Sequence, residues 1–110
     1  MAERMSDGRV MKYLWLRDAQ KRPVACIAYS AKREDPKVQV GFSVCHNRDE
    51  THKERGREIA RARHDKFQMK FESSGKNAEE IRNDVLSFLR QQDAPNAELQ
   101  KTLIRLRKML

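Results

Sequence analysis

Apolar residues in this chain recur at every second position in its first half and at every third or fourth position later. The clearest alternation is Val38, Val40, Phe42 and Val44 against Gln39, Gly41, Ser43 and Cys45, the period of a half-buried strand. Residues 10–17 (V-M-K-Y-L-W-L-R) and 23–30 (P-V-A-C-I-A-Y-S) also read as extended. The turn-like stretches D-A-Q-K-R and A-K-R-E-D-P-K separate the three. Short connections between successive strands predict an antiparallel meander. Pairing symmetrically about the turns puts Leu14, Leu16, Val24, Cys26, Ala28, Val40, Phe42 and Val44 on one face. Met11, Tyr13, Trp15, Ala25, Ile27, Tyr29, Gln39, Gly41 and Ser43 fall on the other.

The period then lengthens. A helix is expected to begin near Asp49 to Thr51, with Thr51 and Glu54 at capping-box spacing. Gly56, Ile59, Ala60 and Phe67 would face the sheet. Arg63 lands inside that apolar stripe, so it is expected to be partly buried and paired. The segment K-F-Q-M-K-F-E alternates like a strand, but Phe67 and Phe71 also suit a continuing helix, and the helix is extended to about Phe71. Asn77 with Glu80 opens a second helix, with Ile81, Val85, Phe88 and Leu89 inward. D-A-P-N ends it, and Leu99, Leu103, Leu106 and Leu110 mark a third. That leucine stripe must bury itself, either against the second helix or in a homodimer.

The fold class is therefore α+β. A three-stranded antiparallel meander (10–45) is packed by a long basic helix (50–71) and followed by a helical pair (78–110). Together they form a single domain, 10–110, after a flexible N-terminus, 1–9.

Composition adds little to the fold and more to the function. The 110 residues are 38% hydrophobic and 36% charged, with a formal net charge of +8. No apolar run approaches the roughly 18 residues of a membrane span, and the first residues lack a signal-peptide core, so a cytoplasmic protein is expected. Cys26 and Cys45 fit reduced core thiols. Between Cys45 and Lys70 stand eight Lys/Arg, five Asp/Glu and all three histidines. A surface of this sign suits nucleic acid, DNA or RNA, because phosphate neutralisation releases counterions; an acidic host protein would suit it equally.

Lys53, Arg57, Arg61 and His64 recur along one side of the helix and could track phosphates. Lys21, Arg22, Lys32 and Arg33 in the loops could extend that patch. The same charges could instead form a solvated face braced by Asp49–Lys53, Glu54–Arg57 and Glu58–Arg61. Tyr13, Trp15 and Tyr29 on one sheet face could stack unpaired bases, unless the C-terminal helices or a second subunit cover them. His46, Asp49, Glu50, His52, Glu54, His64 and Asp65 are the raw material of a metal site. His52 and His64, however, are too far apart to chelate jointly from one helix. No cofactor motif is present, and no residue order suggests a nucleophile triad.

The strand at 38–45 leading into T-H-K-E-R-G-R-E-I-A-R-A resembles the strand and last helix of double-stranded-RNA-binding domains. That resemblance implies a phosphate-contacting role for Lys53, Arg55 and Arg57. With R-D-A-Q-K-R-P-V-A-C-I-A and G-R-E-I-A-R-A-R, the chain also resembles small bacteriophage or mobile-element proteins of unassigned function, which implies nucleic-acid binding or inhibition of host machinery. The expected function is a non-enzymatic, nucleic-acid-binding regulatory protein, phage-encoded on that resemblance. The alternatives are an inhibitor or adaptor on an acidic host protein, and a small metal-dependent nuclease.

Overall fold

The computed structural model describes residues 2–44 and 53–110. The expected start of the basic helix at 49–51, Cys45, His46, Asp49, Glu50 and His52 all lie outside them. The fold is α+β, but among the described residues the sheet has five strands rather than three, in the order β1 to β5, with every neighbouring pair antiparallel. They are β1 (Ala2–Arg4), β2 (Val10–Arg17), β3 (Pro23–Lys32), β4 (Asp35–Val44) and β5 (Met69–Glu72). The basic helix α1 (Lys53–Phe67) lies between β4 and β5 in sequence, and α2 (Ala78–Gln91) and α3 (Ala97–Arg107) follow.

Both extra strands flank the expected meander. The first residues, read as a flexible tail, instead pair Glu3 with Met11 and Arg4 with Val10. The helix expected to run to Phe71 stops at Phe67, because Gln68 turns to a left-handed backbone (φ 50). Its N–H caps the His64 carbonyl at 3.3 Å. The alternating M-K-F-E then pairs with β4, Val40 opposite Met69 and Val38 opposite Phe71. The 31–37 loop also shrinks, since β3 and β4 continue to Lys32 and Asp35.

Register corrects the expected face map in one strand. Ile27 pairs with Leu14 and Phe42, and Ala25 with Leu16 and Val44. Hence Ala25, Ile27 and Tyr29 share a face with Leu14, Leu16, Val40 and Phe42, while Cys26 and Ala28 join Tyr13, Trp15, Gly41 and Ser43. The β2 and β4 faces are as expected; β3 is inverted. Its P-V-A-C-I-A-Y-S run is apolar on both sides, so nothing in its pattern sets the phase.

The two faces carry different layers. One packs on α2 and α3 through Phe42, Ile27, Val85, Leu89, Leu103 and Leu106, all fully buried. The leucine stripe of α3 thus closes within the chain, through Leu99, Leu103 and Leu106. Each helix has an asparagine N-cap: Asn77 accepts from the Glu80 N–H at 2.9 Å and Asn96 from the Leu99 N–H at 2.8 Å.

The other face packs on α1 around Met11, Cys26, Ala28 and Ala60. Here the helix backbone rides directly over the sheet. A Cβ added to Gly41 would lie 2.2 Å from the His64 nitrogen and 2.3 Å from the Ala60 carbonyl oxygen. Only glycine permits that crossing.

Candidate nucleic-acid interface

Several side-chain hydrogen bonds tie α1 to the sheet. Ser43 donates to the Gly56 carbonyl at 2.7 Å, and Gln39 donates to the His64 carbonyl at 2.7 Å. Arg63, partly buried as expected, donates to the Phe42 carbonyl at 3.0 Å. That carbonyl lies past Val40, the last β4 residue that β5 pairs. Burial lowers the Arg63 pKa, and Glu98 opposes the shift.

A further tie involves His64. Its Nε2 lies 2.7 Å from the Ser30 hydroxyl and its Nδ1 2.7 Å from Asp65 Oδ1. An ionised carboxylate only accepts, so Nδ1 carries the proton and Ser30 donates to Nε2. Burial pushes the His64 pKa down, and Asp65 pulls the other way. The connectivity is that of a serine–histidine–acid relay, which the sequence order did not suggest. Ser30 is 0% exposed, however, and its hydroxyl is engaged by His64. The arrangement anchors α1 to β3 and borders a cleft beside the β3–β4 hairpin.

The expected phosphate-tracking stripe along α1 is therefore not a row of available cations. His64, 1% exposed, is inside the helix–sheet junction. Arg61 is held by Glu3 at 2.7 Å and by Asp65 at 3.7 Å, not by Glu58. Its pKa rises accordingly, first through the hydrogen bond to Glu3, whose own carboxyl is lowered by Arg61. Arg57 lies over the Tyr13 ring at 5.6 Å from its centroid. Arg55 is exposed, and Lys53 is the first residue of the helix.

The loop cations divide between opposite ends of the sheet. Lys21 and Arg22 sit in the β2–β3 turn, where Asp18 accepts from the Arg22 Nε at 3.0 Å and Gln20 from its Nη2 at 2.7 Å. Lys32 and Arg33 form the tip of the β3–β4 hairpin. The length of β3 separates the two turns, on the order of 30 Å at about 3.3 Å per residue. The aromatic trio is split as well. Tyr13 and Trp15 face α1, while Tyr29 is buried on the α2–α3 side.

The hairpin tip is where charge accumulates. A cleft of about 520 Å3 on its α1 side is bordered by Arg9, Lys32, Lys37 and Lys70. A second, of about 620 Å3 on its α2 side, is bordered by Lys12, Lys32, Arg33 and Lys76. The two clefts together gather seven Lys/Arg against the four carboxylates Asp7, Glu34, Asp35 and Asp65. Arg9 is tied to Asp35 at 3.8 Å and to the Lys37 carbonyl at 2.8 Å. Lys32, Arg33, Lys37, Lys70 and Lys76 are exposed, and none is ion-paired within the described residues. Sequence reasoning found only the first two. The others are scattered from residue 37 to 76 and come together through the meander.

Among the described residues no three of His, Cys, Asp and Glu are grouped to hold a metal ion, and no helix is long and apolar enough to cross a membrane. No family model, curated protein or solved structure matches the chain. The resemblances to double-stranded-RNA-binding domains and phage proteins therefore rest on the residues that suggested them.

Proposed function

We propose that this is a nucleic-acid-binding module that grips the phosphate backbone through the tip of the β3–β4 hairpin. The observation that carries the reading is the cluster of five exposed cations, Lys32, Arg33, Lys37, Lys70 and Lys76, lacking carboxylate partners among the described residues. Cations already neutralised by the protein release few counterions on binding; unpaired ones release them fully. Arg55, with Lys53 and Arg57, would form a second contact at the far end of α1. Lys21 and Arg22 would touch only a ligand long enough to reach the opposite end of the sheet.

The test is titration of single- and double-stranded DNA and RNA over a range of salt. Affinity is expected to fall linearly on a log–log plot, and removing one phosphate contact should lower the slope by roughly one unit. Lys32→Ala, Arg33→Ala and Lys70→Ala should each do so, whereas Arg22→Ala, whose guanidinium is held by Asp18, should change little. Absence of binding at about 50 mM salt to all four polymers would overturn the reading and favour an acidic protein surface as the partner.

A further inference from the structure

The cleft on the α2 side of the hairpin differs in kind from the open charged surface beside it. Its floor is apolar, built from Val10, Ala31, Val38 and Ile81, and the N-terminal turn of the fourteen-residue helix α2 closes one side. Its closure depends on Gly75, where a Cβ would lie 2.9 Å from the Ile81 nitrogen. Ser73 fixes the same loop by donating to Asp84 at 2.6 Å.

Tyr29 also lines this cleft. It is 6% exposed, and its hydroxyl has no hydrogen-bond partner among the described residues. The ring is buried, but the hydroxyl itself is not sealed from solvent, so it is open to a ligand that enters the cleft. Lys12, the cross-strand neighbour of Tyr29, is half-buried and likewise without an ion pair there. Burial raises the Tyr29 pKa while Arg82 opposes the rise, so the phenol stays protonated and can donate to an acceptor. An unfilled donor beside Lys12, Lys32 and Lys76, next to a helix N-terminus, calls for an anion. The apolar floor and a volume of about 620 Å3 call for more than a bare ion.

We propose that this cleft binds an organic monophosphate with a flat apolar body: a nucleoside monophosphate, either free or as the phosphorylated end of a strand. The phosphate accepts from Tyr29 and the lysines, and the base lies on the apolar floor. In its strand-end form this rests on the nucleic-acid reading above; in its free form it does not.

Calorimetric titration of the full chain with AMP, adenosine and inorganic phosphate tests it. AMP should bind at least tenfold more tightly than either fragment. Tyr29→Phe should weaken AMP about tenfold, the loss expected for one hydrogen bond to a charged acceptor, with an unchanged thermal transition. Lys76→Ala, at the surface, should weaken it comparably, and Lys70→Ala, on the other side of the hairpin, should not. A second arm compares one oligonucleotide with and without a 5′ phosphate. A preference for the phosphorylated strand that Tyr29→Phe abolishes assigns the strand end. AMP binding without that preference assigns the free nucleotide. Equal affinity for AMP and adenosine, or no AMP binding together with no 5′-phosphate preference, overturns the site. In the last case salt-sensitive binding of both oligonucleotides would still uphold the nucleic-acid reading.

Discussion

The two faces of the sheet are held by different physics. Against α2 and α3 the contact is volume: Phe42, Ile27, Val40, Val85, Leu89 and Leu103 are fully buried, and the leucines of α3 reach across to β4. Against α1 it is fit. The buried set there is small, Met11, Cys26, Ala28 and Ala60, and the helix comes close enough for Gln39, Ser43 and Ser30 to bond its backbone and His64. An apolar layer loses stability in proportion to what is removed from it. A hydrogen-bonded layer at backbone contact is sensitive to anything added, and to any change in the protonation of its polar groups.

The largest expected effect is therefore an addition on the α1 face. Gly41→Ala pushes a methyl group into the backbone of His64 and Ala60, which no rotamer can relieve. It should cost more than about 4 kcal/mol or remove the cooperative unfolding transition, beyond the usual range for overpacking. Urea denaturation followed by circular dichroism measures it, and a stable Gly41→Ala protein would mean that α1 does not sit at this height. The matching change on the other face is a deletion. Leu103→Ala should cost roughly 3 kcal/mol, the range for a buried leucine, and should leave the α1 contacts in place.

How much of this contrast could be read beforehand follows from the same physics. The apolar face was legible: alternation in β4 and helical periodicity with asparagine caps in α2 and α3 identify its contributors, because burying one side imposes a period. The α1 face was not. Its contributors, Ser30, Gln39, Gly41 and Ser43, read as the polar side of their strands, and nothing local marks Ser30 as the partner of a histidine 34 residues on. The β3 phase failed because both faces of that strand are buried, and β5 was hidden by Gln68, a left-handed helix stop without the usual glycine. Of the candidate interface, Lys32 and Arg33 stood out as a loop pair, whereas Lys37 and Lys70 become neighbours only through pairing of β4 with β5, and Lys76 reaches the other side of the hairpin through the loop after β5.

Protonation sharpens the contrast at a smaller scale. Burial holds the His64 imidazole below its ordinary value of 6.5, against the pull of Asp65 and with help from Arg61 and Arg9. As pH falls, the unfolded chain takes up this proton first. The His64 contribution is therefore complete above roughly pH 7.5 and declines as pH drops through 6.5 towards the lowered folded value. Protonation also turns Nε2 into a donor facing a hydroxyl that was donating to it. Stability against urea should fall between pH 7.5 and 5.5, and His64→Gln should flatten that dependence while being less stable at pH 7.5. Ser30→Ala removes the donor to Nε2 and should cost about 1–3 kcal/mol at neutral pH.

The smallest effect on stability is expected outside both layers. Lys37 and Lys70 extend from β4 and β5 into solvent without carboxylate partners among the described residues. Replacing either with alanine should change stability by no more than about 0.5 kcal/mol, the usual limit for exposed positions. If these lysines meet phosphates, the same substitutions should each lower the salt dependence of nucleic-acid binding by roughly one unit of slope. Arg61→Ala should do the reverse. It breaks the pair with Glu3, which links α1 to the edge strand β1, as well as the pair with Asp65 within α1, and so should loosen the α1 face. Being already neutralised, it should leave the salt slope nearly unchanged. Measuring melting and binding on the same three variants separates the two roles. A double exchange, in which Arg61→Ala flattens the salt slope while Lys70→Ala destabilises, would mean that the stripe along α1, and not the hairpin tip, meets the polyanion.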